Sequence, residues 1–140
     1  MDTVDQVQGV SLPALRHVHL IVQCRTYKPL VNAASAKSWI TELAQLVGMK
    51  LLIQPQAVYS NTPGNRGLTA IAAISTSHIT LHFWDEPQPA ELQLDIYSCK
   101  EFKKDIIFRD LTERFAPTSI KFKILDRNHD LTDWNASSPL

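Results

Sequence analysis

The sequence has no excess of charge of either sign, no long apolar run, no basic leader and no paired-cysteine motif. Lys and Arg total 14 and Asp and Glu total 14, so the formal net charge is zero. Proteins that track nucleic acid or anionic lipid depend on a surplus of cations. That footprint is missing here, and neither nucleic acid nor a membrane is expected as a partner. Lys100, Lys103 and Lys104 alternate with Glu101 and Asp105 and read as a solvated face. No apolar stretch approaches the ~20 residues that span a bilayer. Asp2 and Asp5 stand where a secretory leader would be basic, so a cytoplasmic location is expected. The two cysteines, Cys24 and Cys99, are expected as reduced thiols in that compartment. They form no C-x-x-C pair and so suggest no zinc site. His17 and His19 share a strand face but lack a third ligand at useful spacing, and no metal is expected.

What is present suits one domain. The chain has 140 residues, 44% of them hydrophobic, enough for a true core. Residues 1–15 read as an N-terminal extension, 16–128 as the domain and 129–140 as a polar tail. His17 to Cys24 is rich in β-formers and reads as a strand. Asn32 is placed to cap a helix over Ala33 to Val47, with Trp39, Ile40, Leu43, Leu46 and Val47 at helical spacing and Gly48 at its end. Lys50 to Val58 reads as a strand and Asn61 to Gly67 as a loop. Leu68 to Ile74 is apolar throughout and is expected to be a strand buried on both faces. Ser75-Thr76-Ser77 interrupts it, and Ile79 to Trp84 follows as another strand. Asp85 to Ala90 carries two prolines and turns the chain into a strand from Leu92 to Tyr97. Lys103 to Phe115 is helical, and Ser119 to Leu125 alternates as a last strand.

The order is β-α-β-β-β-β-α-β. Two helices cannot cover both faces of a six-stranded sheet. The expected fold class is α+β: a two-layer sandwich, mainly antiparallel, with both helices on one face. A second copy of the same sheet is the simplest cover for the other face.

Ile74 to Cys99 reads ISTSHITLHFWDEPQPAELQLDIYSC. This resembles the core motif of the short bacterial and archaeal class of S-adenosylmethionine decarboxylases. That family has a serine-histidine pair, a second histidine four residues on, an aromatic and a glutamate, then an aspartate-bearing strand ending in cysteine. Ser77, His78, His82, Trp84, Glu86, Asp95 and Cys99 match in order. Weaker likeness runs from His17 to Arg127 and includes His19-Leu20.

The resemblance implies a self-cleaving proenzyme. The chain would be cut between Thr76 and Ser77, and Ser77 would become a pyruvoyl group, a protein-derived counterpart of pyridoxal phosphate that needs neither that cofactor nor a metal. His82 would be the base for processing, Thr69 would stand in for a supporting serine, and Cys99 would be the acid that reprotonates the decarboxylated carbon. Glu86 would hold the ribose hydroxyls of S-adenosylmethionine, with Trp84 beside it in the substrate site. The product would donate an aminopropyl group for spermidine synthesis, and the enzyme would be a homodimer with shared active sites.

Spacing supports that last point independently. Ser77 and His82 are five residues apart on one strand, roughly 16 Å at ~3.3 Å per residue. Proton transfer needs about 3 Å. His82 would therefore serve the Ser77 of another copy. Four features depart from the family. Thr76 replaces a glutamate, and Pro63 stands nearest to the place of an adenine-stacking phenylalanine, for which Tyr59 could substitute from a shifted loop. Gln23 replaces an acid found in many members, and the turn from Trp84 to Asp95 is two residues longer. Pro63 keeps open a decarboxylase of a simpler amino acid such as ornithine or arginine. Thr76 keeps open an uncleaved homologue that binds a ligand or partner.

Overall fold

The computed structural model describes residues 16–75, 77–128 and 130–133. The N-terminal extension and most of the polar tail lie outside the described residues, as does Thr76. Strand β1 (Val18–Thr26) leads to helix α1 (Ala33–Leu46), then to β2 (Leu51–Ser60), β3 (Gly67–Ile74), β4 (Ser77–Trp84) and β5 (Ala90–Ser98). Helix α2 (Lys104–Phe115), β6 (Ser119–Asp126) and a short β7 (Thr132–Asp133) complete the order. The strands form one sheet in the order β2-β3-β4-β5-β1-β6-β7, with every neighbouring pair antiparallel. The expected α+β class holds, with one strand more than the sequence suggested.

Local chemistry sets the helix limits. Asn32 has extended backbone, and its Oδ1 accepts from Ala34 N at 2.8 Å and Ser35 N at 3.1 Å. Such a cap is worth about 1 kcal/mol. Gly48 at φ +71° follows the end of α1, a left-handed turn that glycine adopts without a Cβ penalty. Trp39, Ile40 and Leu43 are fully buried. The Trp39 indole N–H donates to Asp110 Oδ2 at 2.7 Å, joining α1 to α2. Trp39 and Phe115 meet edge-on at 4.8 Å, and both approach Phe83 of β4.

The period of two along each strand separates the faces. Val18, Leu20, Val22 and Cys24 on β1, Ile79, Leu81 and Phe83 on β4, and Leu92, Leu94 and Ile96 on β5 are all buried under the helices. Both helices lie on that face: Phe108 of α2 meets Phe122 of β6 at 4.7 Å. The other face carries no secondary structure among the described residues. Burial pushes the Cys24 thiol up to about 11, so it stays protonated.

Two expectations fail. Leu68 to Ile74 is not buried on both faces: Leu68, Ala70, Ala72 and Ile74 face the helices, whereas Ile71 is 49% exposed on the open side. An apolar run does not reveal that a sheet lacks its second cover. Ser77 is also not part of an interruption. It is the first residue of β4 and pairs with Ile74.

One glycine fixes how the site closes at its far end. A Cβ on Gly67 would lie 1.7 Å from the Phe83 carbonyl oxygen, a backbone atom that cannot give way. Gly67→Ala is expected to cost at least about 3 kcal/mol, because overpacking here must part β3 from β4. Chemical denaturation of the two proteins checks this.

Candidate active site

Three groups of residues lie along the β3–β4 hairpin. The first is at its tip. Ile74 and Ser77 form the last pair, so only Ser75 and Thr76 connect the strands. Ser75 is tied to the start of β2, since its N–H donates to Lys50 O at 2.9 Å and its Oγ accepts from Lys50 N at 3.2 Å. The Ser75 carbonyl oxygen then collects two donors, Ser77 Oγ at 3.5 Å and Cys99 Sγ at 3.2 Å. The tip thus brings Ser77 and Cys99 to one oxygen. Ser77 is only 8% exposed, and strand alternation turns its side chain toward the helices.

The second group sits on the open face. His82 pairs with Thr69 across the ladder, and His82 Nδ1 lies 3.1 Å from Thr69 Oγ1. Trp84, two residues on and on the same face, lies over the imidazole at 5.4 Å with 22° between the planes. Thr69 engages Nδ1, so proton exchange with a reacting group falls to Nε2. Ser77 and His82 differ by an odd number of residues on one regular strand. They therefore point to opposite faces as well as lying far apart along it. The structure does not bring them together within one chain.

The third group is at the far end of the hairpin. Glu86 is exposed, and its two oxygens accept from Gly64 N at 3.1 Å and Arg66 N at 3.3 Å. These backbone donors, Gly64 first and Arg66 next, hold the Glu86 carboxyl below the usual range. It is a carboxylate with lone pairs left for two hydroxyls. A groove of about 410 Å³ opens beside it, lined by Gly64, Trp84, Glu86, Pro87, Glu91 and Gln93.

A polar cluster whose grouping the sequence did not reveal, although it had named His19, His78 and Asp95, occupies the centre of the open face. His78, Tyr97 and His19 stand in one row across β4, β5 and β1. His19 Nδ1 lies 3.3 Å from Arg127 Nη1, and Arg127 also stands 4.6 Å over the Tyr97 ring. Arginine only donates, so His19 Nδ1 accepts and its proton sits on Nε2. Nε2 faces Asp95 Oδ1 at 3.8 Å, while Thr80 Oγ1 donates to Asp95 Oδ2 at 3.3 Å. The contact with His19 is the main cause holding Asp95 below its ordinary range. Among the described residues no three His, Cys, Asp or Glu side chains are grouped to hold a metal ion. The alternation of β4 and β5 could have placed this cluster, had their register been known.

Desolvation first, then His19, pushes His78 below its ordinary 6.5. The unfolded chain therefore takes up that proton first as pH falls. Stability conferred by neutral His78 is complete above about 6.5 and is lost as pH drops from there toward the folded value. His78→Gln is expected to flatten the fall in melting temperature between pH 7 and 5. Thermal melts across that range test it. The Asp95 contribution is lost in a separate window, below its ordinary 3.8.

A sequence model described as S-adenosylmethionine decarboxylase matches residues 18–128. The chain belongs to that family. It is 36% identical over 62 residues to an S-adenosylmethionine decarboxylase proenzyme of Archaeoglobus fulgidus. That alignment covers 44% of this chain and 54% of the relative, so the chain spans about half the length of the curated relative it matches. Its fold is similar to the crystal structure of the adenosylmethionine decarboxylase from Aquifex aeolicus VF5, with a TM-score of 0.62 at 14% identity. That match covers 82% of this chain and 92% of the other. No helix among the described residues is long and apolar enough to cross a membrane.

Within this family frame, the hairpin tip holds Ser77 and Cys99, the open face holds Thr69, His82 and Trp84, and the far loop holds Glu86. Sequence reasoning missed Asn65, whose side chain meets Trp84, and the His19–Asp95–Arg127 cluster.

Proposed function

We propose that the chain is a pyruvoyl-dependent S-adenosylmethionine decarboxylase that cleaves itself between Thr76 and Ser77. One observation carries the reading. A single chain presents two half-sites that cannot meet: Ser77 with Cys99 at the hairpin tip, and His82 with Thr69 on the other face of the sheet. Two copies stacked through their open faces would bring each partner's His82 to the side of Ser77 away from its Cβ, the side on which the α-hydrogen to be removed lies. The open face favours such a cover. Ile53, Val58 and Ile71 stand there 59%, 63% and 49% exposed, and an apolar groove of about 220 Å³ runs beside His78. An uncovered apolar sheet face of this kind marks an interaction site.

Processing begins when Ser77 Oγ attacks the Thr76 carbonyl carbon, moving the acyl group from nitrogen to oxygen. Loss of the Ser77 α-proton to His82 expels the Thr76 carboxylate. The resulting dehydroalanine takes up water and releases ammonia, leaving a pyruvoyl group. The residues suit that group: Ser77 heads its strand beside the turn, so the cut end is free to swing from the helix side to the open face, and the Cys99 thiol already stands at the tip. The pyruvoyl carbonyl supplies the electron sink for loss of CO2, without pyridoxal phosphate or a metal. Cys99 then returns a proton to the substrate carbon. Glu86, kept ionised by Gly64 and Arg66, accepts the ribose hydroxyls, and Trp84 lines the same groove. The decarboxylated product is the aminopropyl donor for spermidine synthesis.

Pro63 favours a second reading. It stands where the family has a stacking phenylalanine, a contact worth ~1–3 kcal/mol to a base. Its absence suits decarboxylation of ornithine or arginine. The test is CO2 release from carboxyl-labelled S-adenosylmethionine, ornithine and arginine. Release from S-adenosylmethionine alone is expected. Release from a simple amino acid alone would reverse the assignment.

A further inference from the structure

We propose that Asn65 is a positioning residue for His82, acting through Trp84. The proposal rests on the role given to His82 above. The Trp84 indole N–H donates to Asn65 Oδ1 at 2.9 Å. The Trp84 ring lies nearly parallel to the His82 imidazole, at 5.4 Å and 22°. His82 Nδ1 in turn meets Thr69 Oγ1 at 3.1 Å. The four side chains make one line: Asn65, Trp84, His82, Thr69.

Each link removes a different freedom. The contact with Thr69 stops the imidazole from rotating in its own plane and leaves Nε2 as the working nitrogen. The indole fixes the tilt of that plane, provided the indole itself does not swing. Trp84 is only partly buried and has two side-chain torsions. A hydrogen bond at its far edge is what holds it against the histidine.

Asn65 is a firm anchor because its backbone is fixed by other bonds. Its N–H donates to Thr62 O at 2.9 Å, and its neighbours Gly64 and Arg66 both donate to Glu86. Arg66 O also accepts from Asp85 N at 3.2 Å. The Asn65 side chain is thus left to serve Trp84. The same loop that orders Glu86 also orders His82, which couples substrate binding to processing geometry.

The test is a double-substitution cycle on the full chain, using Asn65→Ala and Trp84→Phe. Phenylalanine keeps a ring over the imidazole but has no N–H for Asn65. Each single change is expected to slow cleavage before Ser77 by about fivefold, the cost of one neutral hydrogen bond. The double variant should be no slower than either single variant. Asn65→Asp, whose carboxylate still accepts the indole N–H, should restore the rate. Effects that multiply in the double variant, or no rescue by Asn65→Asp, would overturn the proposal. A second readout needs no activity. In the uncleavable Ser77→Ala chain, the imidazole NMR signals of His82 should shift alike in Asn65→Ala and Trp84→Phe. Unmoved signals would overturn the line from Asn65 to His82. If the unmutated chain neither cleaves nor turns over, the proposed activity fails while these signals still decide the positioning.

Discussion

Ser77→Ala is expected to leave the chain whole, as one species near 15.8 kDa, and to lower decarboxylation by at least about a thousandfold. A covalent nucleophile lost in other enzymes costs more than that. No neighbour replaces it. The Ser75 hydroxyl is held against the backbone of Lys50, at 3.2 Å from its nitrogen and 3.5 Å from its oxygen. The Cys99 thiol is engaged by the Ser75 carbonyl oxygen at 3.2 Å. The fold should survive, because the change removes one small hydroxyl whose bond to Ser75 O is long at 3.5 Å. A mass spectrum and a thermal melt of the variant read both parts of the expectation. Cleavage at the same peptide bond in this variant would show that another group starts the reaction.

The second large effect is recovery in a mixture. Ser77→Ala and His82→Ala should each be inactive alone. When the two chains are unfolded together, refolded and allowed to pair, half of the pairs are mixed. In a mixed pair, the histidine of the first variant faces the serine of the second, and that one site is complete. Random pairing therefore restores roughly a quarter of the sites, since a two-fold interface contributes each half-site once per copy. The reason is geometric: the two residues stand five apart on one regular strand, too far for the imidazole to reach residue 77 within a chain, so a second molecule must bring it. A mixture as inactive as its components would mean that no sharing occurs, and the stacked pair would fail with it.

Much of the fold was legible because its signals are local. Asn32 before an apolar helical stripe, Gly48 after it, and alternation along β6 are all read within one element. The errors arose where information was shared between elements. Ile71 looks like core among Leu68, Ala70, Ala72 and Ile74, and only the missing second layer exposes it. Thr69 meets His82 because a two-residue turn at Ser75 and Thr76 sets every pair outward from Ile74 and Ser77. Ser-Thr is not a glycine- or asparagine-bearing turn of the kind that marks such hairpins, so the register was hidden. The separation of Ser77 from His82 was readable from spacing alone, and the strand's parity strengthens it. The clasp of Glu86 on Gly64 and Arg66 was not readable, because it depends on the fold of a loop ordered by contacts distant in sequence. The His19–Asp95 contact was hidden for the same reason as the Thr69–His82 pair, since it needs the β1–β5 register.

All of this depends on whether the backbone opens ahead of residue 77, and weighing the freshly purified, unaltered polypeptide answers that directly. The account predicts two pieces, 1–76 and 77–140, the latter resisting stepwise N-terminal degradation until reductive amination with ammonia turns its pyruvoyl group into alanine. A lone, undivided product that takes up no such reagent would contradict it.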